Sequence, residues 1–168
     1  KTVKAVCLQS GDLRMKKEME EIIRENYGDI YKYCFRHLNR KGEAEDMTQE
    51  VFLRFLTHRE QYREYGKIKN YLYVIAGNAV KDYWKKHREQ PGRAEEEDEK
   101  SGDMDEVLER VRVRAALDAL EEQEREMIIL RYYQELRIRD IGRIMDMPPS
   151  TVRLRLKKAE SKLREQLA

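Results

Sequence analysis

An acidic stretch just past the middle of the chain sets the strongest limit on how the sequence can fold. Residues 89–106 hold nine Asp and Glu against two Lys and Arg, and five acids follow one another at 95–99. Like charges at this density repel each other and cannot build a core. Pro91 and Gly92 also break the helical pattern that precedes them. We therefore predict a flexible acidic linker over residues 89–104, with a separate folded unit on each side.

Apolar residues recur at steps of three and four on both sides of this linker, which is the period of an amphipathic helix. Gly and Pro are scarce, at 8 and 3 of 168 residues, which favours helix over sheet. The predicted helices cover residues 18–38, 44–57, 68–87, 104–120, 124–133, 137–145 and 150–167. The sequence thus predicts an all-α protein with two small helical domains. The expected boundaries are a disordered N-terminal extension at 1–17, an N-terminal helical bundle at 18–88 and a C-terminal four-helix domain at 105–168.

The formal net charge of +2 hides two basic segments. Residues 67–88 carry six Lys and Arg against one acid, and residues 137–167 carry nine against four. Basic segments in both predicted domains indicate a polyanionic partner that is contacted at two places. For either segment alone, a solvated helix face is an equally good interpretation.

The composition argues against several classes of protein. Cys7 and Cys34 form neither a disulfide framework nor a metal-binding quartet, and they indicate a reducing cytoplasm. No apolar run approaches the roughly 20 residues that span a bilayer. His37, His58 and His87 lack metal-ligand spacing, and no phosphate-binding Gly-rich loop or nucleophile elbow is present. We expect no catalytic residue, no metal and no cofactor.

The last 32 residues have the pattern of a helix-turn-helix. Ile138, Ile141 and Met145 give the first helix an inward face. Gly142 falls where two helix axes must approach closely, because a side chain there would push them apart. Asp146 falls at the turn, where a short polar residue tolerates a left-handed conformation.

The second helix of this motif is the predicted recognition helix. Pro148 and Pro149 suit a helix start, and Ser150 or Thr151 is expected to cap it. Residues near the N-terminus of such a helix face base edges in the major groove, where Arg reads guanine and Lys or Arg holds phosphate. A basic helix at a protein interface is the competing interpretation.

The helix predicted at 68–87 mixes aromatic and basic residues. Aromatic rings stack on unpaired bases while cations follow phosphates, which is the chemistry of single-strand binding. The residues concerned are Tyr71, Tyr73, Tyr83, Trp84, Lys81, Lys85 and Lys86. Aromatic residues at helical spacing are more often core, so this feature alone does not decide between the two roles.

The order of the motifs resembles the extracytoplasmic-function (ECF) sigma factors of bacterial RNA polymerase. Residues 45–53 read Glu-Asp-Met-Thr-Gln-Glu-Val-Phe-Leu and are similar to the acidic helix of that family. Residues 71–78, followed by Asp82, resemble its Trp-Leu-x-x-Ile-Ala-x-Asn…Asp run, with Tyr71 in place of Trp. Residues 140–142 and 148–156 resemble its closing Glu-Ile-Ala…Pro-x-Gly-Thr-Val-x-x-Arg-Leu motif.

The resemblance implies three binding surfaces. Core polymerase would contact Asp46, Gln49, Glu50 and Leu53. The minus-ten element would be captured and melted by the loop 59–69 and the helix after it, through Tyr62, Tyr65, Lys69, Asn78, Lys81, Lys85 and Lys86. The minus-thirty-five element would be read by Ser150, Thr151, Arg153, Leu154, Arg155, Lys157 and Lys158.

The resemblance also implies the partners of the chain. These are core RNA polymerase, promoter DNA and an anti-sigma factor in the cytoplasm, with contact to a membrane expected only through a membrane-anchored anti-sigma factor. The chain would direct transcription initiation and would not be an enzyme.

Two other functions remain compatible with parts of the sequence. A helix-turn-helix regulator would use only the C-terminal helices and would bind duplex DNA without polymerase. A metal-dependent nuclease would use Glu45, Asp46 and Glu50. Cleavage of DNA by the purified chain with a metal ion would identify the nuclease.

Overall fold

The structure is a computed structural model that describes residues 10–58, 65–87 and 104–168. Within these ranges the chain forms seven α-helices and no strand, so the predicted all-α fold is confirmed. The helices are α1 (Ser10–Leu38), α2 (Lys41–His58), α3 (Ile68–His87), α4 (Met104–Asp118), α5 (Glu122–Ile128), α6 (Ile138–Ile144) and α7 (Pro149–Leu167). Tyr62 and the predicted acidic linker, apart from Met104 at the start of α4, lie outside the described residues.

The three N-terminal helices pack against one another in every pairing. Their core contains Ile30 from α1, Val51 and Phe55 from α2, and Leu72 and Ala76 from α3, all almost fully buried. Each helix is amphipathic and cannot bury its apolar face alone, so the stability of the bundle comes from this mutual burial.

The first helix is longer than the apolar period indicates. It begins at Ser10, whereas the sequence pattern predicts a start at residue 18 and a disordered segment before it. The added turns are mostly polar and charged. Residues 10–17 carry no repeated apolar stripe in the sequence, and the predicted start depends on such a stripe.

The C-terminal helices α4 to α7 surround a second group of buried residues. Met127, Leu130, Ile141 and Val152 are inaccessible to solvent. After α5 the chain continues as a π-helical segment, Ile129–Tyr133. A regular α-helical period predicts that Tyr132 lies in the core. The wider π turn shifts the residues that follow it around the helix axis, and Tyr132 is 55% exposed.

The turn between α6 and α7 has the predicted glycine and aspartate geometry. Asp146 has a positive φ of 51°, and the Met147 amide donates to the Gly142 carbonyl at 2.8 Å. A Cβ at Gly142 would lie 2.6 Å from the Met147 carbonyl oxygen, which confirms a close approach at this glycine.

The prediction that Ser150 or Thr151 caps α7 is wrong. The N-cap residue is Pro148, no side chain caps the helix, and Ser150 lies inside its first turn. Pro149 occupies the first helical position, where the missing N–H of proline leaves no donor to satisfy. The two prolines therefore start the helix without help from a hydroxyl group.

The two halves of the chain touch each other. Helix α3 packs against α6, and the buried apolar residues of both halves form one contiguous cluster. The sequence predicts two bodies that are joined by a linker, and it does not predict this contact.

The glycines of α1 and α6 give a matched stability test. Gly142→Ala should lower the free energy of unfolding by about 1–3 kcal/mol, because the added methyl group meets a backbone carbonyl that cannot move without opening the turn. Gly28→Ala should raise it by about 0.5–1 kcal/mol, because that helical position has nothing within 4 Å of the new Cβ. Urea unfolding followed by circular dichroism measures both changes, and equal effects would contradict the turn geometry.

Candidate functional site

The α2 face, formed by Asp46, Gln49, Glu50 and Leu53, lies entirely on the outside of the N-terminal bundle. These residues follow steps of three and four, so one helix face carries them while Ala44, Val51 and Phe55 fill the core behind. Leu53 is 60% exposed. The face therefore presents one large apolar side chain to solvent beside the carboxylates of Asp46 and Glu50.

Arg54 of α2 contacts both a carboxylate of this face and a carboxylate of α3. Arg54 Nε donates to Glu50 Oε1 at 2.8 Å, and its Nη1 lies 3.5 Å from Asp82 Oδ2 of α3. The two carboxylates hold the pKa of Arg54 above its ordinary value. Glu50 is therefore oriented by its neighbour, and the α2 face keeps a fixed position relative to α3.

The α3 basic face consists of Asn78, Lys81, Lys85 and Lys86, all of which are exposed. Asn78, Lys81 and Lys85 share one stripe of the helix and line a cleft of about 2420 Å³ between the two halves. Lysines on one face of a helix hold successive phosphates of a nucleic-acid backbone. The structure thus brings four of the predicted minus-ten residues together.

Trp84 supplies an aromatic surface beside these lysines. It is 46% exposed and makes an edge contact with Tyr83, whose hydroxyl donates to Glu43. The Tyr83 ring also stacks on His87 at 4.1 Å between centroids. A fixed, half-exposed indole next to cations is a suitable platform for an unpaired base.

Two of the aromatic residues considered for single-strand binding are core residues. Tyr71 and Tyr73 are 5% and 1% exposed, so neither ring can stack on a base. Tyr71 lies at helical spacing from buried Ile75 and Ala79, and Tyr73 lies at helical spacing from buried Ala76 and Val80. For these two residues the structural interpretation is correct, and only Trp84 and Tyr83 remain near the basic face.

Tyr65, just before α3, and Lys69, in its first turn, already contact other side chains. Tyr65 stacks on Tyr71 with centroids 5.2 Å apart, which leaves only one face of the Tyr65 ring for another partner. Lys69 Nζ lies 2.5 Å from Asp29 Oδ2 of α1. A base or phosphate that uses Lys69 must compete with this ion pair.

The α7 outward face carries most of the predicted minus-thirty-five residues. Ser150, Arg153, Leu154, Arg155, Lys157 and Lys158 are exposed and Thr151 is half-buried. Leu154 is 71% exposed, which is unusual for leucine and suits contact with a thymine methyl group. In the part of the chain that the structure describes, no ion pair involves Arg153 or Lys157.

Two side chains of the α7 outward face contact residues of α5. Arg155 donates to Gln123, and Lys158 Nζ lies 3.7 Å from Glu124 Oε1. Lys162 Nζ, one turn further along α7, donates to Glu124 Oε2 at 2.6 Å. Glu124 therefore fixes α7 against α5.

Glu124 is a residue that the sequence analysis missed. The hydrogen bond from Lys162, together with the charges of Lys162 and Lys158, holds the pKa of Glu124 below its ordinary value. The residue is 4% exposed, although it lies in a sequence of charged residues that reads as solvated surface. Nothing in the local sequence distinguishes this glutamate from Glu121 or Glu122.

The described residues contain neither a metal-binding cluster nor a membrane-spanning helix. They contain no group of three His, Cys, Asp or Glu that could hold a metal ion. Among the same residues, no helix combines the length and the apolar character that a bilayer crossing requires. Of the three carboxylates considered for a nuclease, Glu50 is paired with Arg54.

Comparison with protein families matches both halves of the chain. Residues 22–90 match the model described as Sigma-70 region 2. Residues 110–163 match the model described as Sigma-70, region 4. Together the two matches cover α2, α3, α5 and α6 and most of α1, α4 and α7.

Curated relatives align with between 72% and 92% of the chain. The RNA polymerase sigma factor YlaC of Bacillus subtilis is 25% identical over 92% of this chain and 98% of its own length. The ECF RNA polymerase sigma factor SigW of the same organism is 26% identical over 82% of each chain. The ECF RNA polymerase sigma factor BldN of Streptomyces coelicolor is 34% identical over 72% of this chain and half of its own length.

Two solved structures share the fold. The sigma factor RpoE from Bartonella quintana, solved with the anti-sigma factor NepR, matches 90% of this chain and 97% of its own at a TM-score of 0.68 and 19% identity. CnrH, solved with the cytosolic domain of CnrY, matches 90% of this chain and 88% of its own at a TM-score of 0.69 and 17% identity.

The contact between Glu124 and Lys162 predicts a pH-dependent stability. Glu124→Gln should lower the free energy of unfolding at pH 7 by about 1.5–3 kcal/mol, because it removes a buried charge-assisted hydrogen bond. The folded-state pKa of Glu124 is below its unfolded value of 4.5, so this stabilisation is full above that value and is lost as pH falls through the folded pKa.

The difference in stability between wild type and Glu124→Gln should therefore shrink between pH 5 and pH 3, as urea unfolding at each pH would measure. Glu165→Gln, an exposed position on α7, is the control and should change stability by less than about 0.5 kcal/mol at any pH. A difference that stays constant down to pH 3 would rule out ionised Glu124 as its cause.

Proposed function

Since the chain belongs to the ECF sigma factors of the sigma-70 family, which are DNA-binding transcription initiation factors, we propose that each of its exposed helix faces binds a different target. The N-terminal domain, at residues 18–88, binds core polymerase and the minus-ten element. The C-terminal domain, at residues 105–168, reads the minus-thirty-five element. The observation that carries the proposal is the placement of three chemically different exposed faces on α2, α3 and α7, each backed by a buried core.

The α2 face is the proposed contact with core polymerase. Its carboxylates give it the opposite sign to the neighbouring α3 basic face, so the same DNA strand would not cover both surfaces. Leu53 provides the apolar centre that a stable protein contact needs. Arg54 keeps Glu50 in place, which reduces the entropy that this surface loses on binding.

The α3 basic face and Trp84 are the proposed contact with the melted minus-ten strand. Lys81, Lys85 and Lys86 hold phosphates, while Asn78 offers an exposed amide to a base edge. Flipping a base out of the duplex costs a few kcal/mol, which stacking and pocket contacts offset. Trp84 is placed to supply stacking, with Tyr62, Tyr65 and Lys69 contributing from the side of the preceding loop.

The α7 outward face is the proposed reader of the minus-thirty-five element. Arg153 and Leu154 lie near the N-terminal end of the helix, the part that reaches base edges in the major groove. Arg155, Lys157 and Lys158 suit phosphate contacts on either side. Ser150 and Thr151 lie in the first turn, where backbone amides also face the DNA.

We propose that polymerase supplies all of the chemistry and that this chain has no catalytic activity, metal or cofactor of its own. Core polymerase and promoter DNA are its partners in the cytoplasm. RpoE and CnrH were each solved with a protein partner, NepR and the cytosolic domain of CnrY. An anti-sigma factor that covers the exposed faces of this chain is the corresponding proposal here.

Charge removal from the α3 basic face tests the proposal. Lys85→Ala combined with Lys86→Ala should reduce permanganate reactivity of minus-ten thymines several-fold in a reaction with core polymerase, because two phosphate contacts are lost. The slope of log affinity against log salt should fall by about 1 for each lysine.

Lys32→Ala combined with Lys41→Ala removes the same charge from exposed positions on α1 and α2 and should leave both values unchanged. Equal effects of the two double variants would mean that net charge, and not this face, is responsible. A helix-turn-helix regulator without a polymerase partner would produce no permanganate signal with either protein.

A further inference from the structure

The Tyr83 side chain is held at two points, although it lies near the exposed end of α3. Its hydroxyl donates to a carboxylate oxygen of Glu43, which lies in the first turn of α2. Its ring stacks on His87, one turn later in α3, with centroids 4.1 Å apart and ring planes 19° apart. His87 Nδ1 lies 2.7 Å from the Tyr83 carbonyl oxygen, an acceptor, which keeps the imidazole in this orientation. The ring and the hydroxyl of Tyr83 are therefore both fixed.

Glu43 is held in turn by Arg40, which precedes α2. Arg40 Nη1 donates to Glu43 Oε1 at 3.0 Å, while the Tyr83 hydroxyl uses Oε2. The side chains of Arg40 and Glu43 are 20% and 29% exposed, so both are partly withdrawn from water. The first turn of a helix also favours a carboxylate, because the helix dipole is positive there. Glu43 thus links the start of α2 to the end of α3, 40 residues further along the chain.

The Trp84 indole lies directly against this fixed tyrosine. The indole and the Tyr83 ring meet edge to face, with centroids 5.3 Å apart and planes 87° apart, which is a favourable arrangement of two aromatic rings. Trp84 is nevertheless 46% exposed, so the core does not enclose it. An exposed side chain without such a neighbour changes rotamer within nanoseconds. The Tyr83 ring therefore restricts the directions that the indole can take.

The stability of the N-terminal bundle does not depend on these contacts. Val51 of α2 and Leu72 of α3 are fully buried, and the core that they form holds the two helices together. Ion pairs near the surface, such as the one between Arg40 and Glu43, add little to the free energy of unfolding. The main consequence of the link between Glu43 and Tyr83 is the direction of the side chains on the last turns of α3.

We propose that Glu43 is a positioning residue for capture of the minus-ten strand. Through Tyr83, it holds the Trp84 indole in the direction from which the ring stacks on an unpaired base. This role rests on the proposed function of Trp84, whereas the restricted motion of the indole in the free chain does not. A ring that is already ordered loses less entropy when a base stacks on it, so binding is stronger. Glu43 and Tyr83 act through the indole and have no need to touch DNA themselves.

The fluorescence of Trp84 tests the restricted motion directly, because it is the single tryptophan of the chain. Time-resolved anisotropy of the free full chain, excited at a wavelength that tyrosine does not absorb, follows the indole alone. In wild type the anisotropy should decay with the tumbling of the whole molecule. Tyr83→Phe removes the hydroxyl and keeps the ring. It should add a fast component from rotation of the indole about its side-chain bonds.

Variants of Glu43 separate the tyrosine contact from the ion pair with Arg40. Glu43→Ala removes both contacts and should give the same fast component as Tyr83→Phe. Glu43→Gln loses the ion pair but keeps an oxygen that accepts from Tyr83, so the indole should move as slowly as in wild type. Tyr132→Phe is the matched control for the loss of a tyrosine hydroxyl, because Tyr132 donates to Glu160 of α7 at 2.6 Å. It should leave the anisotropy decay unchanged.

Open-complex formation with core polymerase tests whether the effect passes through the indole. Trp84→Ala should lower permanganate reactivity of minus-ten thymines about tenfold, as expected for the loss of one stacked base. Tyr83→Phe and Glu43→Ala should each lower it about threefold, because the indole is present but must be ordered on binding. In a chain that already carries Trp84→Ala, neither change should lower it further. Such non-additivity is expected of side chains that act as one unit.

Three results would overturn the inference: a fast indole in the free wild-type chain, an indole as slow in Tyr83→Phe as in wild type, or a loss of reactivity that persists undiminished in the Trp84→Ala background. Circular dichroism and urea unfolding show that each variant is folded under the conditions of the test. Full permanganate reactivity of Trp84→Ala would instead contradict the proposed contact between Trp84 and the minus-ten strand, whatever the motion of the indole.

Discussion

The packing of α3 is the constraint on which the rest of the structure depends. This helix contacts α1, α2 and α6, so it belongs to the N-terminal core and to the boundary with the C-terminal half. Leu72 and Ala76 fix its inward side, and the helical period then leaves Lys81 and Lys85 on the outward side. The same rotation about the helix axis brings Asn70 against Asp140. One helix thereby sets the direction of the basic face and the position of the helix-turn-helix.

Much of the fold and of the exposed faces could be predicted from the sequence, because both follow from helical period. The bounds of α3 match the prediction, and the α2 and α7 faces are exposed where apolar spacing places them outside. Local exceptions were not predictable in the same way. The π turn at Ile129–Tyr133 moves Tyr132 out of the core, and the two prolines start α7 without the expected hydroxyl cap.

The polar residues at the centre of the structure were the hardest to foresee. Asp140 and Glu124 are charged residues in charged segments, and their burial depends on partners 70 and 38 positions away. A period of 3.6 residues reports which side of a helix is apolar, but not which charged side chain meets a donor from another helix. The contact between the halves escaped prediction for the same reason. Sixteen residues separate α3 from α4 and can extend to about 55 Å, so the covalent connection allows the halves to meet or to part.

The function proposed for this chain is to redirect bacterial core polymerase. The most direct measurement maps the 5′ ends of transcripts made by purified core enzyme from host genomic DNA, with and without the purified chain. With this function, a defined new set of start sites should appear only with the chain, with two shared sequence elements upstream at a constant spacing. Identical 5′ ends in both reactions, with no association between the chain and core enzyme on gel filtration, would contradict it.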